Sequence, residues 1–219
     1  GNSKREIALD GKRFARVPSS ADSLRSGSDP PVLRVMTYNV HSCLGMDGRL
    51  SPNRIARVIG RYCPDVVMLQ EVDVHHGRSG GVDQAHAIAR ELEMEFHFHP
   101  AYRIEEEQYG DAILSGLPMR IIKLGSLPSF PGLEPRGAIW VSVKYRGMEV
   151  QLFNTHIGLR RFERREQVEA LLGPDWLGSA ECRNPVILCG DFNTLPNSAN
   201  YRKLAGRLRD VQTCLQNHR

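Results

Sequence analysis

The chain has 219 residues, enough for one large domain with a sizeable core, and its 41% apolar and 25% charged residues are ordinary globular values. No apolar run approaches the roughly 18 residues that a membrane helix needs, which argues against a transmembrane segment. The net charge of +4 and the isoelectric point near 8.9 suit a phosphate-rich partner without requiring one.

The N-terminal stretch differs in composition from the rest of the chain. Residues 1–31 lack hydrophobic periodicity, and 18–31 are rich in Ser, Pro, Gly and Asp. We expect a flexible or loosely packed segment, with a possible hairpin at 4–17, followed by one domain over 32–219. No apolar signal-peptide core follows the N-terminus.

The first half of this domain alternates strands and helices. The sequence predicts strands at 32–41, 65–72 and 96–100, and helices at 51–62 and 84–92. Ser51 and Pro52 are typical of a helix start. The Gly-rich loop 75–84 is expected to be exposed.

Short strands separated by turns follow at 109–118, 119–128, 136–145 and 148–157, a pattern typical of an antiparallel meander. A charged helix at 160–177, a strand at 185–193 and a helix at about 197–207 complete the chain. Together these elements predict two packed sheets with helices on the outer faces.

Four apolar runs end in polar clusters. They are VLRVMTYNVH, DVVMLQEV, VQLFNTHI and PVILCGDFN, and their polar ends hold Asn39, His41, Glu71, Asn154, His156, Asp191 and Asn193. Residues two apart in a strand share a face, so each of the pairs in YNVH, NTH and GDFN points to one side. A single cluster of this kind is usually a turn, but four in succession favour a site on loops held by a rigid frame.

The donor types indicate a hard cation. Carboxylate and amide oxygens with few nitrogens suit Mg²⁺ or Mn²⁺. Glu71 is the best ligand candidate, because an unpaired charge after an apolar strand is expensive, and Asp191 is the second. Asn39 and Asn193 can donate to phosphoryl oxygens, and His156 can add a further contact.

Other polar features have ordinary explanations. We interpret His75, His76, His97 and His99 as surface residues rather than a zinc site. The five cysteines form no CxxC or zinc spacing, which favours reduced thiols and a cytoplasmic location.

The ordered segments TYNVH, LQEV, YGDAILS, NTHIG and CGDFN resemble the endonuclease/exonuclease/phosphatase superfamily, which is deoxyribonuclease I-like, over roughly Leu33 to Asp210. The resemblance implies an α/β fold (α+β), a four-layer α/β/β/α sandwich of two mostly antiparallel mixed sheets with outer helices. It also implies a Mg²⁺ or Mn²⁺ cofactor.

The resemblance assigns roles by motif. Glu71, Asn39 and Asp191 would bind metal. Phosphate would contact Asn39, His41, His156 and Asn193. The catalytic set would be His156, Asp191, Asn193, Asp111 and Tyr109. Two positions depart from the pattern, since Asp111 stands where the family often has Asn and His41 where several nucleases carry an acid.

A third departure concerns the end of the chain. The family continues past GDFN to a Ser-Asp-His-like segment, whereas here Asp210 and His218 do not form such a dyad. Either the sequence is part of a longer protein or the site is naturally degenerate. The intact earlier motifs favour the first explanation.

The resulting functional hypothesis is a metal-dependent phosphoric ester hydrolase, either a phosphodiesterase or of the endonuclease type. The alternatives are an inactive module that binds a phosphorylated ligand or a protein, and a lipid or inositol phosphoesterase. Nucleic acid would favour a basic groove, for which the candidates are Arg78, Arg103, Arg136 and especially the arginines of 160–165. A solvated helix face explains the 160–165 cluster slightly better. A lipid would favour an exposed apolar loop, for which 127–135 is the nearest candidate.

Overall fold

The computed structural model describes residues 32–216, over which it has eight strands and five helices. The strands are β1 (Val35–Asn39), β2 (Val66–Val74), β3 (Glu95–Ile104), β4 (Glu107–Ser115), β5 (Met119–Ser126), β6 (Gly137–Tyr145), β7 (Met148–His156) and β8 (Val186–Asp191). The helices are α1 (Pro52–Gly60), α2 (Gln84–Leu92), α3 (Arg161–Leu172), α4 (Ala199–Ala205) and α5 (Val211–Gln216). The expected N-terminal segment 1–31, its hairpin at 4–17 and His218 lie outside the described residues.

The strands form two four-stranded mixed sheets. Their orders are β1-β2-β4-β3 and β5-β6-β7-β8. One pair in each sheet is parallel, β1 with β2 and β7 with β8, and the other pairs are antiparallel. Because parallel neighbours run in the same direction, each parallel pair brings two C-terminal strand ends to one edge of its sheet.

Three apolar cores separate four layers. The core between the sheets holds Val66, Met68, Ile113, Ile139, Val141 and Leu152. The outer face of the first sheet packs Val67, Leu69 and Leu114 against α1 and α2 through Ile55, Ile59 and Ile88. The outer face of the second sheet packs Trp140 and Phe153 against Leu171 and Trp176. These layers confirm the expected α/β/β/α sandwich.

Both faces of β2 are covered, which explains its nearly continuous apolar sequence. Val66 and Met68 face the second sheet, and Val67 and Leu69 face the helices. Ile113 and Leu114 of β4 show the same alternation.

The helix starts follow the capping signals of the sequence. The Ser51 hydroxyl accepts a hydrogen bond from the Arg54 amide at 3.2 Å, and Pro52 opens α1. The Asp83 carboxylate accepts from the His86 amide at 2.9 Å at the start of α2.

Two helices differ from expectation. Helix α3 ends at Leu172, five residues before the predicted end, because Gly173 and Pro174 interrupt it, and Trp176 then folds into the core. The short α5 was not predicted, since VQTCLQ has too few turns to show a helical period. None of the helices within residues 32–216 is both long and apolar enough to cross a membrane.

Candidate metal and phosphate site

Glu71 lies in a bulge of β2. The pairing of β2 with β4 shifts register between Leu69 and Val72. These two residues pack in the same helix-facing core, although residues three apart face opposite sides of a regular strand. The extra residue interrupts the alternation of side chains between the two faces of the sheet, and Glu71 points towards the sheet edge. The expectation that Glu71 closes the strand was wrong, because β2 continues to Val74 and the bulge is what exposes the carboxylate.

Three of the predicted site residues have left-handed backbone. Glu71 has φ 59°, His41 has φ 47° and Asn193 has φ 44°. Such conformations cost on the order of 1 kcal/mol or more for residues other than glycine, and they persist where the surroundings hold them in place. Their concentration at the C-terminal edge of the two sheets marks this edge as a candidate functional site.

Asn39, at the end of β1, joins the two sheets. Its amide nitrogen donates to Glu71 Oε1 at 2.7 Å and to Asp191 Oδ2 at 3.0 Å. Its oxygen accepts from the His41 backbone N–H at 3.0 Å, which fixes the orientation of the amide. In this orientation Asn39 holds two carboxylates together, and its role as a metal ligand stays a prediction.

His41 follows in the same turn. Its Nδ1 lies 3.2 Å from Glu71 Oε2, and the ring is largely exposed at the entrance of the site. Nδ1 of the ring thus contacts Glu71, and the exposed remainder of the ring can contact a bound ligand.

The parallel pair β7–β8 supplies the other wall. His156 pairs with Asp191 at the strand ends, and the Asp191 carboxylate accepts from the Asn193 backbone N–H at 3.0 Å. Gly190 permits this close approach of the strands, because a Cβ there would lie 2.0 Å from the Thr155 carbonyl oxygen. The GDFN turn therefore needs its glycine for packing.

Glu71, His156 and Asp191 form a compact cluster. Each offers a ligand atom, and the three atoms lie within 4.8 Å of one another. His156 Nε2 lies 3.9 Å from Glu71 Oε1 and 4.0 Å from Asp191 Oδ2. Carboxylates from two different sheets thus converge on one imidazole.

Hydrogen-bond donors surround the His156 ring. Arg136 approaches Nδ1 at 3.5 Å, and the Asn193 amide nitrogen approaches Nε2 at 3.1 Å while it also donates to the Ile157 carbonyl at 2.8 Å. Burial and the Arg136 charge lower the pKa of His156 to about 4, against the opposing effect of Asp191 and Glu71. The ring is therefore neutral near pH 7 and carries a single proton.

Asp111 and Tyr109 lie deeper than the cluster. Burial raises the pKa of Asp111 to about 8, although Arg136 and the backbone N–H of Glu71 favour its charged form. The hydrogen bond from Glu71 ties Asp111 to the bulge. Tyr109 is buried in the wall of the cleft and stacks on Tyr102 with ring centroids 5.4 Å apart, and burial raises its pKa as well. The catalytic roles of both residues stay predictions.

Two ion pairs beside the site, each with one buried partner, carried no sequence motif. Arg136 is buried, pairs with Glu134 and approaches His156. Arg78 forms a two-pronged pair with buried Asp73, with nitrogen–oxygen distances of 2.7 and 3.0 Å. In the sequence, Arg78 and Arg136 were candidates for a basic groove and were not predicted to pair with carboxylates at the site. For the Arg78–Asp73 pair, the one signal in the sequence was the presence of Asp73 among the apolar residues of β2.

Asn154 serves the framework rather than the site. It lies buried between the sheets, where its amide nitrogen donates to the carbonyls of Leu69 at 2.8 Å and Ala112 at 2.9 Å. Its oxygen accepts from Gln70 Nε2 at 2.7 Å. The side chain shares the face of His156, as the two-residue period predicted, but lies one step deeper and joins β7 to the first sheet.

The prediction that all four histidines are surface residues needs correction at two positions. The His76 side chain is only 16% exposed, and its Nδ1 lies 3.2 Å from Glu107 Oε2. His99 is not a surface residue, because its ring packs against Gly137 and its Nε2 is buried without a hydrogen bond in the described part of the chain. Burial lowers its pKa, opposed by a hydrogen bond to the Gly125 carbonyl.

The cluster opens into a cleft of about 420 Å³. The lining includes His41, Glu71, Tyr109, Arg136, His156 and Asn193 from the candidate site and Leu44, Leu50 and Leu159 from its entrance. A larger cavity of about 720 Å³ lies at the other end of β7, lined by Met148 and Arg120. We assign the site to the smaller cleft, because the chemical groups converge there.

The donor set fits a divalent cation. Two carboxylates held about one amide group, with no lysine or arginine paired to either of them within residues 32–216, leave an uncompensated negative charge. Oxygen donors with one imidazole match the ligand preferences of Mg²⁺ and Mn²⁺. Glu71 and Asp191 are the residues that would hold the ion, with His156 beside it.

Comparison with known proteins agrees with this geometry. Residues 36–215 match the Endonuclease/Exonuclease/phosphatase family. The chain is 25% identical over 178 residues to the uncharacterized protein YbhP of Escherichia coli strain K12, covering 77% of this chain and 69% of that protein.

Solved structures share the fold. An endonuclease/exonuclease/phosphatase from Beutenbergia cavernae aligns with a TM-score of 0.62 at 24% identity, over 80% of this chain and 53% of that one. A mannosyl-6-phosphatase from Bacteroides thetaiotaomicron aligns with a TM-score of 0.64 at 21% identity, over 80% and 71%. The chain thus spans only about half the length of the Beutenbergia protein. At these identities the likeness is one of fold.

Proposed function

Because the chain belongs to the endonuclease/exonuclease/phosphatase family, we propose that it is a hydrolase that cleaves phosphate esters with a divalent metal ion, Mg²⁺ or Mn²⁺. The observation that carries the proposal is the convergence of Glu71, His156 and Asp191 from both sheets, within 4.8 Å of one another.

In this proposal, the position of each site residue determines its role. Glu71 and Asp191 would hold the ion, which when bound supplies positive charge to the phosphoryl oxygens. Asn39 keeps the two carboxylates together through its bonds of 2.7 and 3.0 Å. Asp191, the more exposed of the two carboxylates, would orient and deprotonate the attacking water.

His156 would donate a hydrogen bond to a phosphoryl oxygen. Its lowered pKa keeps the ring neutral near pH 7, so it acts as a hydrogen-bond donor rather than as a fixed cation. His41 at the entrance and Asn193 beside His156 would contact the same phosphate. Asp111 would act indirectly, by holding the backbone of Glu71.

Phosphodiesters are the preferred substrates in this proposal. The cleft of about 420 Å³ accommodates a substituted phosphate ester, and the fold is shared with a mannosyl-6-phosphatase, so monoesters belong in the same assay. A domain over 32–219 and a cytoplasmic location stay part of the proposal. Cys43, Cys182, Cys189 and Cys214 are free thiols, as a reducing compartment would require.

Hydrolysis of bis-p-nitrophenyl phosphate tests the function. We expect turnover with Mn²⁺ or Mg²⁺ that a chelator abolishes, and parallel assays with p-nitrophenyl phosphate distinguish diesterase from monoesterase activity. Glu71→Gln and Asp191→Asn should each lower kcat roughly a hundred-fold or more, because each removes a charge that holds the ion. Glu149→Gln, on an exposed carboxylate near the start of β7, is the matched control and should leave kcat unchanged.

The outcome also separates the alternative of a binding module. Calorimetric Mn²⁺ binding without turnover in any assay would favour that alternative. Full activity in Glu71→Gln would show that the site has been placed wrongly.

A further inference from the structure

Exposed apolar side chains surround the mouth of the cleft. Leu44 and Leu159 line the cleft, and the exposed Met46 and Phe162 follow them by two and three residues in the sequence. Met46 is fully exposed and Leu159 is 67% exposed. We call these four residues the apolar rim. Isolated exposed apolar residues are common, but a group of them around a polar cleft marks an interaction surface.

The loop that carries Met46 is braced. Leu44 and Leu50 form an antiparallel bridge at its base, and the Gly45 N–H donates to the Arg49 carbonyl at 3.0 Å. Arg54 holds the loop from outside through the Asp47 carboxylate at 2.8 Å. The exposed methionine is therefore presented by an ordered loop, so that burial of its side chain would require little further ordering.

The second part of the rim is also supported. Arg164 donates from its guanidinium to the Leu159 carbonyl. Phe162, on the first turn of α3, packs edge-on against Phe130 with ring centroids 5.0 Å apart, which leaves half of its surface exposed.

Unpaired cations accompany the apolar rim. Arg49 lies in the Met46 loop, and Arg160 and Arg161 lie between Leu159 and Phe162. Within residues 32–216, none of these three guanidinium groups is paired with a carboxylate, whereas the neighbouring Arg54 and Arg165 are. The apolar rim is therefore accompanied by three positive charges without carboxylate partners in the described part of the chain.

We propose that this mouth docks on the surface of an anionic lipid bilayer. Leu44, Met46, Leu159 and Phe162 would enter the interface, and the three arginines would contact lipid phosphates. The inference rests on the proposed function, since docking in this way brings lipid phosphate esters to the cleft. Nucleic acid matches the arginines, but its recognition uses cations and stacking aromatic rings, and three of the four residues of the apolar rim, Leu44, Met46 and Leu159, are not aromatic.

Vesicle binding of the full chain provides the test. We expect sedimentation with phosphatidylcholine vesicles that contain about 30% phosphatidylglycerol, and weaker binding to phosphatidylcholine alone. The double variant Met46→Ser/Phe162→Ser should reduce the partition coefficient roughly ten-fold, because it removes two inserting side chains. Arg160→Ala/Arg161→Ala should reduce it by a similar factor on anionic vesicles only.

The matched control is Tyr62→Ser/Met148→Ser, which removes two exposed apolar side chains at the other end of the strands and should bind as the wild type does. Failure of the wild type to bind anionic vesicles, or equal loss in the control, overturns the proposal. Binding to an oligonucleotide without binding to vesicles overturns it in favour of nucleic acid.

Vesicle binding and phosphate ester hydrolysis can be tested independently of each other. Glu71→Gln should keep vesicle binding while it loses hydrolysis, and Met46→Ser/Phe162→Ser should keep hydrolysis of bis-p-nitrophenyl phosphate in solution. Rim-dependent vesicle binding without any turnover would leave docking intact and refute the phosphoesterase function. Turnover without vesicle binding would support the phosphoesterase function and refute docking on the bilayer.

Discussion

Substitution of Asn154 by leucine tests the link between the sheets and the site. The variant has a side chain of similar volume, so it removes hydrogen bonds without opening a large cavity. It deprives the carbonyls of Leu69 and Ala112 of their donor. The Gln70 amide loses one acceptor but keeps Thr37 Oγ1 at 3.2 Å and the Met68 carbonyl at 3.1 Å. The loss of these two buried hydrogen bonds corresponds to a loss of about 2–4 kcal/mol in the free energy of unfolding.

Urea unfolding followed by fluorescence measures this loss. Both tryptophans, Trp140 and Trp176, lie in the outer core of the second sheet and report its disruption. Asn53→Ala, on the exposed side of α1, is the control and should change stability by less than about 0.5 kcal/mol. The Leu69 carbonyl adjoins the bulge of Glu71, so Mn²⁺ affinity should fall in Asn154→Leu even where the protein stays folded. A destabilisation below about 1 kcal/mol would refute the bridging role of the amide.

Three further outcomes follow from packing and burial. Gly190→Ala should unfold at a clearly lower urea concentration and lose most phosphoesterase activity, because its Cβ would meet the Thr155 carbonyl oxygen at 2.0 Å; wild-type stability would refute that contact. Burial raises the pKa of Cys43 to about 12 and of Cys189 to about 11, so both thiols should react with a disulfide reagent at pH 8 only after denaturation, and mass mapping of labelled peptides would show any early labelling. Burial lowers the pKa of His99, so its stabilising effect is present above pH 6.5 and is lost as pH falls through the folded pKa; urea midpoints should drop less from pH 7 to pH 5 in His99→Gln than in the wild type.

The order and type of most elements could be predicted because local signals agree with the fold. Alternating apolar residues and turn residues located the strands, and Ser51 and Asp83 lie where a helix needs a cap. The strand-end motifs were brought together because parallel pairs align their C-terminal ends. Because these signals depend on residues that are neighbours in the sequence, they can be recognised in a single sequence.

The finer geometry of the site depends on contacts between distant residues. The bulge at Glu71 is a mismatch between β2 and β4, and no pattern in β2 alone shows it. Arg136 reaches His156 only because β6 and β7 pair in the observed register. The role of Asn154 could not be predicted for the same reason, because its hydrogen-bond partners lie 42 and 85 residues away in the sequence.

The origin of the cluster in both sheets has a consequence for how the protein assembles. Glu71 belongs to the first half of the chain, and His156 and Asp191 belong to the second. Neither half alone contains the complete set of donors, so the ion site exists only once the apolar faces between the sheets have met. A bound ion would then report sheet docking directly, and its release during unfolding would mark the moment at which the two halves separate.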